Sequence, residues 1–346
     1  MVENIPTTMK AWLVVKNGEP KDALTLRTDY PVPSIPKSGN ILIKVDYSSL
    51  NPADINFMAD IPSWVPFRRN PIPGLDFAGT VLKLGQAVPQ DLGIAVGTEV
   101  CGALNVMSVA VGRGSLAEYI EVPASKVTVK PKGIDLRDAA GALGISGQTA
   151  YLVLKEADIK PGDRVLVHGA SGGVGSVLVQ VAKAKGAMVY AVCSGANAEL
   201  VKGIGADEVI DYKAHDSLTA HLASTFGPNP LQAIFDCVGS DELFQKCAQY
   251  TERNGLFITI VGAVGAGPIL RSKLLPVSLG GVPRRYKLLA LWPDGAIAKE
   301  VVKWVENGHF KHFLTDSEYS MEDAVKGYER VASKRSKGKV VINMSS

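Results

Sequence analysis

The sequence predicts an α/β protein of two domains, a small all-β, barrel-like domain and a parallel, doubly wound sheet. Three observations carry that expectation. At 346 residues the chain is long for one hydrophobic core. From Met9 to about Lys130 its apolar residues alternate or run in short blocks between Pro- and Gly-rich turns, a strand pattern, and from about Pro131 helical periodicity sets in. Within that second part Arg164 to Gly186 reads RVLVHGASGGVGSVLVQVAKAKG, a short apolar strand, a glycine loop and an amphipathic helix in succession.

In the first domain, strands are expected at Lys10–Val15, Asn40–Val45, Phe77–Leu82 and Tyr119–Val122. Between them lie Ser48-Ser49-Leu50-Asn51-Pro52-Ala53-Asp54 and a proline-rich aromatic loop with Trp64 and Phe67, and loops on a rigid scaffold are where binding residues concentrate. Leu136 to Leu154 reads as helix interrupted at Gly141 to Gly147. Strands then follow at 164–168, 187–193, 207–210, 233–236 and 256–261 with helices between them, the βαβ succession of a parallel sheet. Tyr286–Trp292 is strand-like, Ala296–Asn307 and Met321–Ser333 are helical, and Lys339–Asn343 is a last strand. A lone strand cannot form a sheet, so the C-terminal segment is expected to return to the first domain with Lys339 beside the cleft. The expected domains are 1–130 completed by 297–346, and 131–296.

Composition narrows the function. A net charge of +3, with Lys and Arg scattered, gives no footprint for nucleic acid. Cys101, Cys193, Cys237 and Cys247 have no CxxC spacing and read as buried, reduced thiols in a reducing compartment, hence a cytoplasmic location. The start, MVENIPTTMK, has no apolar signal core. The longest uncharged run, Leu256 to Leu270, is broken by glycines and Pro268 and falls short of the ~20 apolar residues of a membrane span.

The glycine loop points to a bound dinucleotide. Gly169, Gly172, Gly173 and Gly175 let backbone amides approach a pyrophosphate at a helix N-terminus, which puts Ser171, Gly172, Gly173 and Val174 at that ligand. The second strand of such a fold ends at the adenosine ribose, and an acid there selects the cofactor without a 2′-phosphate. Here it ends in Ser194-Gly195-Ala196-Asn197, with no acid, which favours NADPH over NADH. Val238 and Gly262 close later strands and are expected to border the ribose and nicotinamide; Cys237 and Val238 as plain core packing is the alternative.

Taken together, VLVHGASGGVG at 165–175, GADEVIDY at 205–212, SSLNPAD at 48–54, GLDFAGTV at 74–81 and GKVV at 338–341 resemble the zinc-independent quinone oxidoreductase (zeta-crystallin-like) branch of the medium-chain dehydrogenase/reductases. Within it, the chain is most similar to chloroplast-envelope quinone oxidoreductase homologues and fungal relatives. The resemblance implies a GroES-like first domain and a Rossmann second domain. It also implies that Ser194 and Tyr212 contact the 2′-phosphate, with Asn197 or Ala196 where relatives carry a cation. Thr149 and Lys339 fall near the nicotinamide, and Asn51 and Asp54 match a pair at the substrate pocket. The cysteine near position 51 and the His-Glu pair of zinc-dependent relatives are replaced here by Asn51 and Leu75-Asp76, and only Cys101 occurs at 97–115, so no metal is expected.

Without zinc, the chemistry expected is hydride transfer from NADPH to a small apolar electrophile, a quinone or an α,β-unsaturated carbonyl. Asn51 is the candidate donor to the developing oxyanion, Asp54 either orients it or contacts a ribose hydroxyl, and Trp64 and Phe67 line the pocket or pack the domain interface. A capping turn at Asn51 and Asp54 is the alternative. A dedicated biosynthetic enoyl reductase and a non-catalytic NADPH-binding protein are the other functions in play. A homodimer paired along the Tyr286–Trp292 edge is expected.

Overall fold

The computed structural model describes residues 5–33, 36–60, 71–261 and 281–345. Trp64, Phe67 and Gly262, and most of the 263–282 loop, lie outside them. Two compact units emerge: unit 1 comprises 1–148, 292–306 and 313–346, and unit 2 comprises 149–291 and 307–312.

Unit 1 is built on strands. β1 (Thr8–Val14) and β2 (Leu24–Pro31), joined through the short helix α1 (Pro20–Ala23), form an antiparallel pair. β3 (Asn40–Leu50), β4 (Asp76–Leu84), β5 (Glu99–Ala103), β6 (Tyr119–Pro123), β7 (Val127–Val129), β14 (Thr315–Ser320) and β15 (Lys339–Asn343) make a seven-stranded sheet in the order β14-β15-β3-β4-β5-β7, with β6 also on β3. Register shifts between Leu42 and Ile43 and between Val45 and Tyr47 mark bulges, which bend the long β3. Inside pack Ile41, Ile43, Phe77, Val81, Val100 and Leu116, each fully buried, and each such side chain contributes roughly 1.5–3 kcal/mol over exposure.

The helices of unit 1 are α2 (Pro52–Asp60), α3 (Val106–Ala110), α4 (Leu136–Ala142), the start of α5 (Ile145–Ala157), α10 (Gly295–Glu306) and α11 (Ala324–Ala332). On α11 the buried residues Ala324, Gly327, Tyr328 and Val331 follow the three-and-four spacing of one helical face, which packs on α2, β14 and β15. As expected, the last strand returns to the first domain: Val340 pairs with Leu50 and Val341 with Ser49.

Unit 2 is a six-stranded parallel sheet. Its strands β8 (Arg164–His168), β9 (Met188–Cys193), β10 (Glu208–Asp211), β11 (Leu231–Asp236), β12 (Thr251–Thr259) and β13 (Arg285–Leu288) lie in the order β10-β9-β8-β11-β12-β13. That is the 3-2-1-4-5-6 order of a doubly wound dinucleotide fold. α6 (Gly173–Ala184), α7 (Ala198–Gly203), α8 (Leu218–Phe226) and α9 (Asp241–Lys246) connect the strands. α6 is buried from Gly175 through Ala182, more than the one face its periodicity implied. Two polar residues lie in that run: Ser176 donates from Oγ to the Gly173 carbonyl at 3.1 Å, and Gln180 donates to the His312 carbonyl at 3.0 Å and accepts from the Lys311 and His312 amides of segment 307–312.

The division between units differs from the expected one. It falls between Gln148 and Thr149 instead of at 130/131, and 292–306 belongs to unit 1. The change from strand to helix at residue 131 is a change of periodicity, not of core: α4 packs on β3, β4 and β15, and α10 packs on β7, where Lys126 holds Asp294 at 3.0 Å. No helix of the described residues is long and apolar enough to cross a membrane.

Candidate functional site

In unit 2 the site is made of strand ends. Gly169, which follows β8, has φ +80°, a left-handed conformation that suits glycine. At Gly175 an added Cβ would lie 2.2 Å from the Gly169 carbonyl oxygen, so only glycine lets the helix close onto the loop. Gly172 is the N-cap of α6 and no side chain caps it, which leaves the first-turn amides for a ligand. Ser171, Gly172, Gly173 and Val174 are all half-buried there. Asn197 Nδ2 donates to Ser171 Oγ at 3.0 Å, tying the turn after β9 to the glycine loop, and its Oδ1 is buried without a partner among the described residues.

The other strand ends agree. Ser194 follows β9, and Tyr212 follows β10 with its amide donating to the Cys193 carbonyl. Tyr212, Val238 and Val261 are 45%, 53% and 37% exposed, three large apolar side chains in water at the carboxyl ends of parallel strands. Those ends face the ligand crevice in such sheets. Thr149, on α5, is buried. Val238 is thus not core, and Cys237 is half-buried, its thiol pushed well above the usual range by burial and then by Asp236.

Sequence reasoning passed over the group that shapes the turn at Val238. His168 and Asp236 are register partners on β8 and β11, with Nδ1 and Oδ1 2.9 Å apart. Asp236 also accepts from the amides of Val238, Gly239 and Ser240. Burial pushes its carboxyl up, but the His168 hydrogen bond and these amides outweigh it and hold the group below the ordinary range.

In unit 1 the sheet register gathers a buried polar cluster. β3 ends at Leu50, beside Val340 of β15, and Ser49 lies opposite Asp76 of β4, so Asn51, Asp76 and Lys339 meet at one edge. Lys339 Nζ donates to Asn51 Oδ1 at 2.5 Å and to Asp76 Oδ2 at 3.0 Å. Asn51 Nδ2 donates to Asp76 Oδ2 at 2.9 Å and to the Ser49 carbonyl at 3.3 Å. Asp76 Oδ1 accepts from the Ile145 amide at 2.7 Å, and a Cβ at Gly144 would strike that oxygen. Both amide hydrogens of Asn51 are therefore committed inside the protein. Lys339 has a third N–H with no partner among the described residues, and it is 6% exposed.

Asp54 sits at the third position of α2 and its Oδ2 accepts from the Asn51 amide at 2.8 Å, half of a capping box. Its Oδ1 is buried without a partner among the described residues, and burial pushes the carboxyl up to about 7, with the Asn51 amide and Lys339 pulling down and Asp76 pushing up. Tyr328, on the helix packed against α2, is also buried, its hydroxyl without a partner among the described residues. Asp76, the hub of the cluster, had stood in the sequence only as the place of an absent metal ligand. Its signal was an acid inside the apolar run GLDFAGTV. Among the described residues no three His, Cys, Asp or Glu side chains converge as a metal set.

Comparison with known proteins agrees with this architecture. Residues 37–132 match the alcohol dehydrogenase GroES-like domain and 204–342 match the zinc-binding dehydrogenase family. The medium chain reductase pydE of Acremonium sp is 34% identical over 98% of this chain and 99% of its own. The trans-enoyl reductase poxH of Penicillium oxalicum is 32% identical over 98% of each chain. The chloroplastic NADPH-dependent alkenal/one oxidoreductase of Arabidopsis thaliana is 33% identical over 75% of this chain and 64% of its own. Among solved structures, the quinone oxidoreductase of Coxiella burnetii superposes with a TM-score of 0.81 at 27% identity, covering 97% of this chain and 99% of that one. With a GroES-like first domain, a parallel-sheet second domain and full-length relatives of this kind, the chain belongs to the medium-chain dehydrogenase/reductase family.

Proposed function

We propose that the chain is an NADPH-dependent reductase of quinones and α,β-unsaturated carbonyls. The observation that carries the reading is the third N–H of Lys339, which is buried and has no partner among the described residues while Asn51 and Asp76 hold the other two. The cofactor fits unit 2: the uncapped amides at Gly172 suit a pyrophosphate, and the glycines leave room for it. Ser171, Gly172, Gly173, Val174, Ser194, Asn197, Tyr212 and Val238 are its proposed contacts, with Thr149 and Lys339 towards the nicotinamide. Bound NADPH supplies a hydride equivalent.

In an enone, hydride arriving at the carbon remote from the carbonyl forms a C–H bond there and pushes the C=C electron pair towards oxygen, and a solvent proton later forms a new C–H bond at the other carbon as C=O re-forms. Lys339 is the donor proposed to meet that oxygen as it turns negative, worth about 10²–10³ in rate for a well-placed donor. Asn51, the donor expected from sequence, has both N–H bonds engaged and instead fixes Lys339 from one side while Asp76 fixes it from the other. Asp54 holds the Asn51 backbone.

Steady-state NADPH oxidation with 1,4-benzoquinone, 9,10-phenanthrenequinone and a short alkenal tests the reading; turnover on at least one is expected. No turnover on any, with NADPH bound, overturns it. The likeness to trans-enoyl reductases favours a second reading, a dedicated enoyl reductase, which predicts faster turnover of a thioester enone than of any free quinone. The four free cysteines suit a reducing compartment such as the cytoplasm. Pairing of β13 with its copy is the proposed homodimer contact, since β13 ends its sheet among the described residues; a monomeric mass in solution would refute it.

A further inference from the structure

We infer that Lys213 receives the 2′-phosphate of the cofactor and sets its preference over the unphosphorylated form, an inference that rests on the dinucleotide reading above. In a doubly wound sheet the residues at the end of the second strand meet the adenosine ribose. That end here, Ser194-Gly195-Ala196-Asn197, carries neither acid nor cation. The neighbouring strand supplies both. β10 runs parallel to β9 with Asp211 opposite Cys193, and the Tyr212 amide donates to the Cys193 carbonyl, so residues 211–213 lie alongside Ser194 and Gly195.

Three contacts fix the charges there. The Asp211 carboxylate lies against Gly195, where a Cβ would come within 2.4 Å of Oδ2. Its Oδ1 accepts from the Lys213 amide at 2.9 Å. Lys213 Nζ lies 5.9 Å from the centroid of the Tyr212 ring, a cation over an exposed aromatic face, and makes no ion pair with any described residue. Between 194 and 197 and between 212 and 217, Lys213 is the only Lys or Arg.

The two neighbours pull in opposite directions. A ribose with a free 2′-hydroxyl can donate to the Asp211 carboxylate, whereas a 2′-phosphate is repelled by it and attracted by Lys213. Lys213 therefore replaces the cation that the turn after β9 lacks, and the Tyr212 ring keeps its ammonium at the strand end. A charge-assisted contact of this kind is worth one or two factors of ten in affinity.

Calorimetric titration with 2′,5′-ADP and with 5′-AMP reads the contact without nicotinamide or turnover. Tighter binding of 2′,5′-ADP by the parent chain is expected, with the ratio of the two affinities falling about tenfold in Lys213→Ala, surviving in Lys213→Arg and rising in Asp211→Asn. The advantage of 2′,5′-ADP should also shrink with added salt in the parent chain and less so in Lys213→Ala. An unchanged ratio in Lys213→Ala, or no advantage of 2′,5′-ADP in the parent chain, overturns the inference. A chain that binds 2′,5′-ADP through Lys213 yet reduces no quinone or enone would sink the proposed function and leave this assignment standing.

Discussion

The two units arrange their polar groups in opposite ways. In unit 1 the functional candidates Asn51, Asp54, Asp76 and Lys339 are all buried; the side chains of Asn51, Asp76 and Lys339 hold one another, and Asp54 holds the Asn51 backbone amide. In unit 2, apart from the buried Thr149, the candidates are backbone amides and half-buried or exposed side chains at strand ends, and no side chain caps the first turn of α6. The difference separates two demands. A buried cation needs fixed partners to survive desolvation, so its geometry is complete before a ligand arrives. An anion site at a helix N-terminus needs only open amides, so the ligand completes it.

The largest effect is expected where that contrast is sharpest. Lys339→Met leaves the Asp76 carboxylate buried without its cation and should cost about 3–5 kcal/mol of unfolding free energy, measured by denaturant titration. Adding Asp76→Asn removes the stranded charge and should return most of that stability. Neither variant should recover turnover, with kcat lower by about 10²–10³. If the double variant reduces substrate at the parent rate, Lys339 is a structural residue and not the donor to the oxyanion.

Asp54 tests the same burial by pH. Its carboxyl titrates near 3.8 in the unfolded chain and is pushed up to about 7 in the fold by burial. Between those values the unfolded chain has lost the proton and the folded chain has kept it, so the Asp54 contribution to stability falls as pH rises and levels off above 7. The loss is on the order of 4 kcal/mol for a shift of this size. In Asp54→Asn that slope should vanish, while the groups facing the site, Asp76, Lys339 and Tyr328, stay the same. Parallel stability profiles for the two proteins from pH 4 to 8 would show that Asp54 is ionised and hydrated throughout.

Unit 2 was legible in the sequence because its information is local. Strand, glycine loop and helix follow within Arg164–Gly186, and β8 occupies the expected residues. The cluster in unit 1 was only half legible, because Lys339 reaches Asn51 across 288 positions and Asp76 across 263. Nothing local in GKVV or GLDFAGTV announces that partnership, so Asn51 looked like a free donor. Strand β14 escaped for another reason: TDSEYS, half-exposed at the edge of its sheet, lacks the apolar alternation by which strands are recognised. The His168–Asp236 pair likewise depends on two strands lying side by side.

The smallest effects separate folding from binding within the glycine loop itself. In Gly175→Ala the new methyl would stand 2.2 Å from the Gly169 carbonyl oxygen and 2.9 Å from the Ala170 Cα, both backbone atoms that cannot swing aside. The loop must shift, at about 1–3 kcal/mol of stability, and cofactor affinity should fall with it. Gly172→Ala is the contrasting change: φ is −82°, and the nearest atom to the new methyl is 3.4 Å away. Stability should hold within about 0.5 kcal/mol, while the methyl occupies the face on which the pyrophosphate is proposed to lie. Thermal melting paired with NADPH titration reads both. If Gly172→Ala binds NADPH as tightly as the parent chain, the uncapped amides of α6 are not the phosphate site, and the contrast between a site completed by its ligand and a site complete in itself loses its second half.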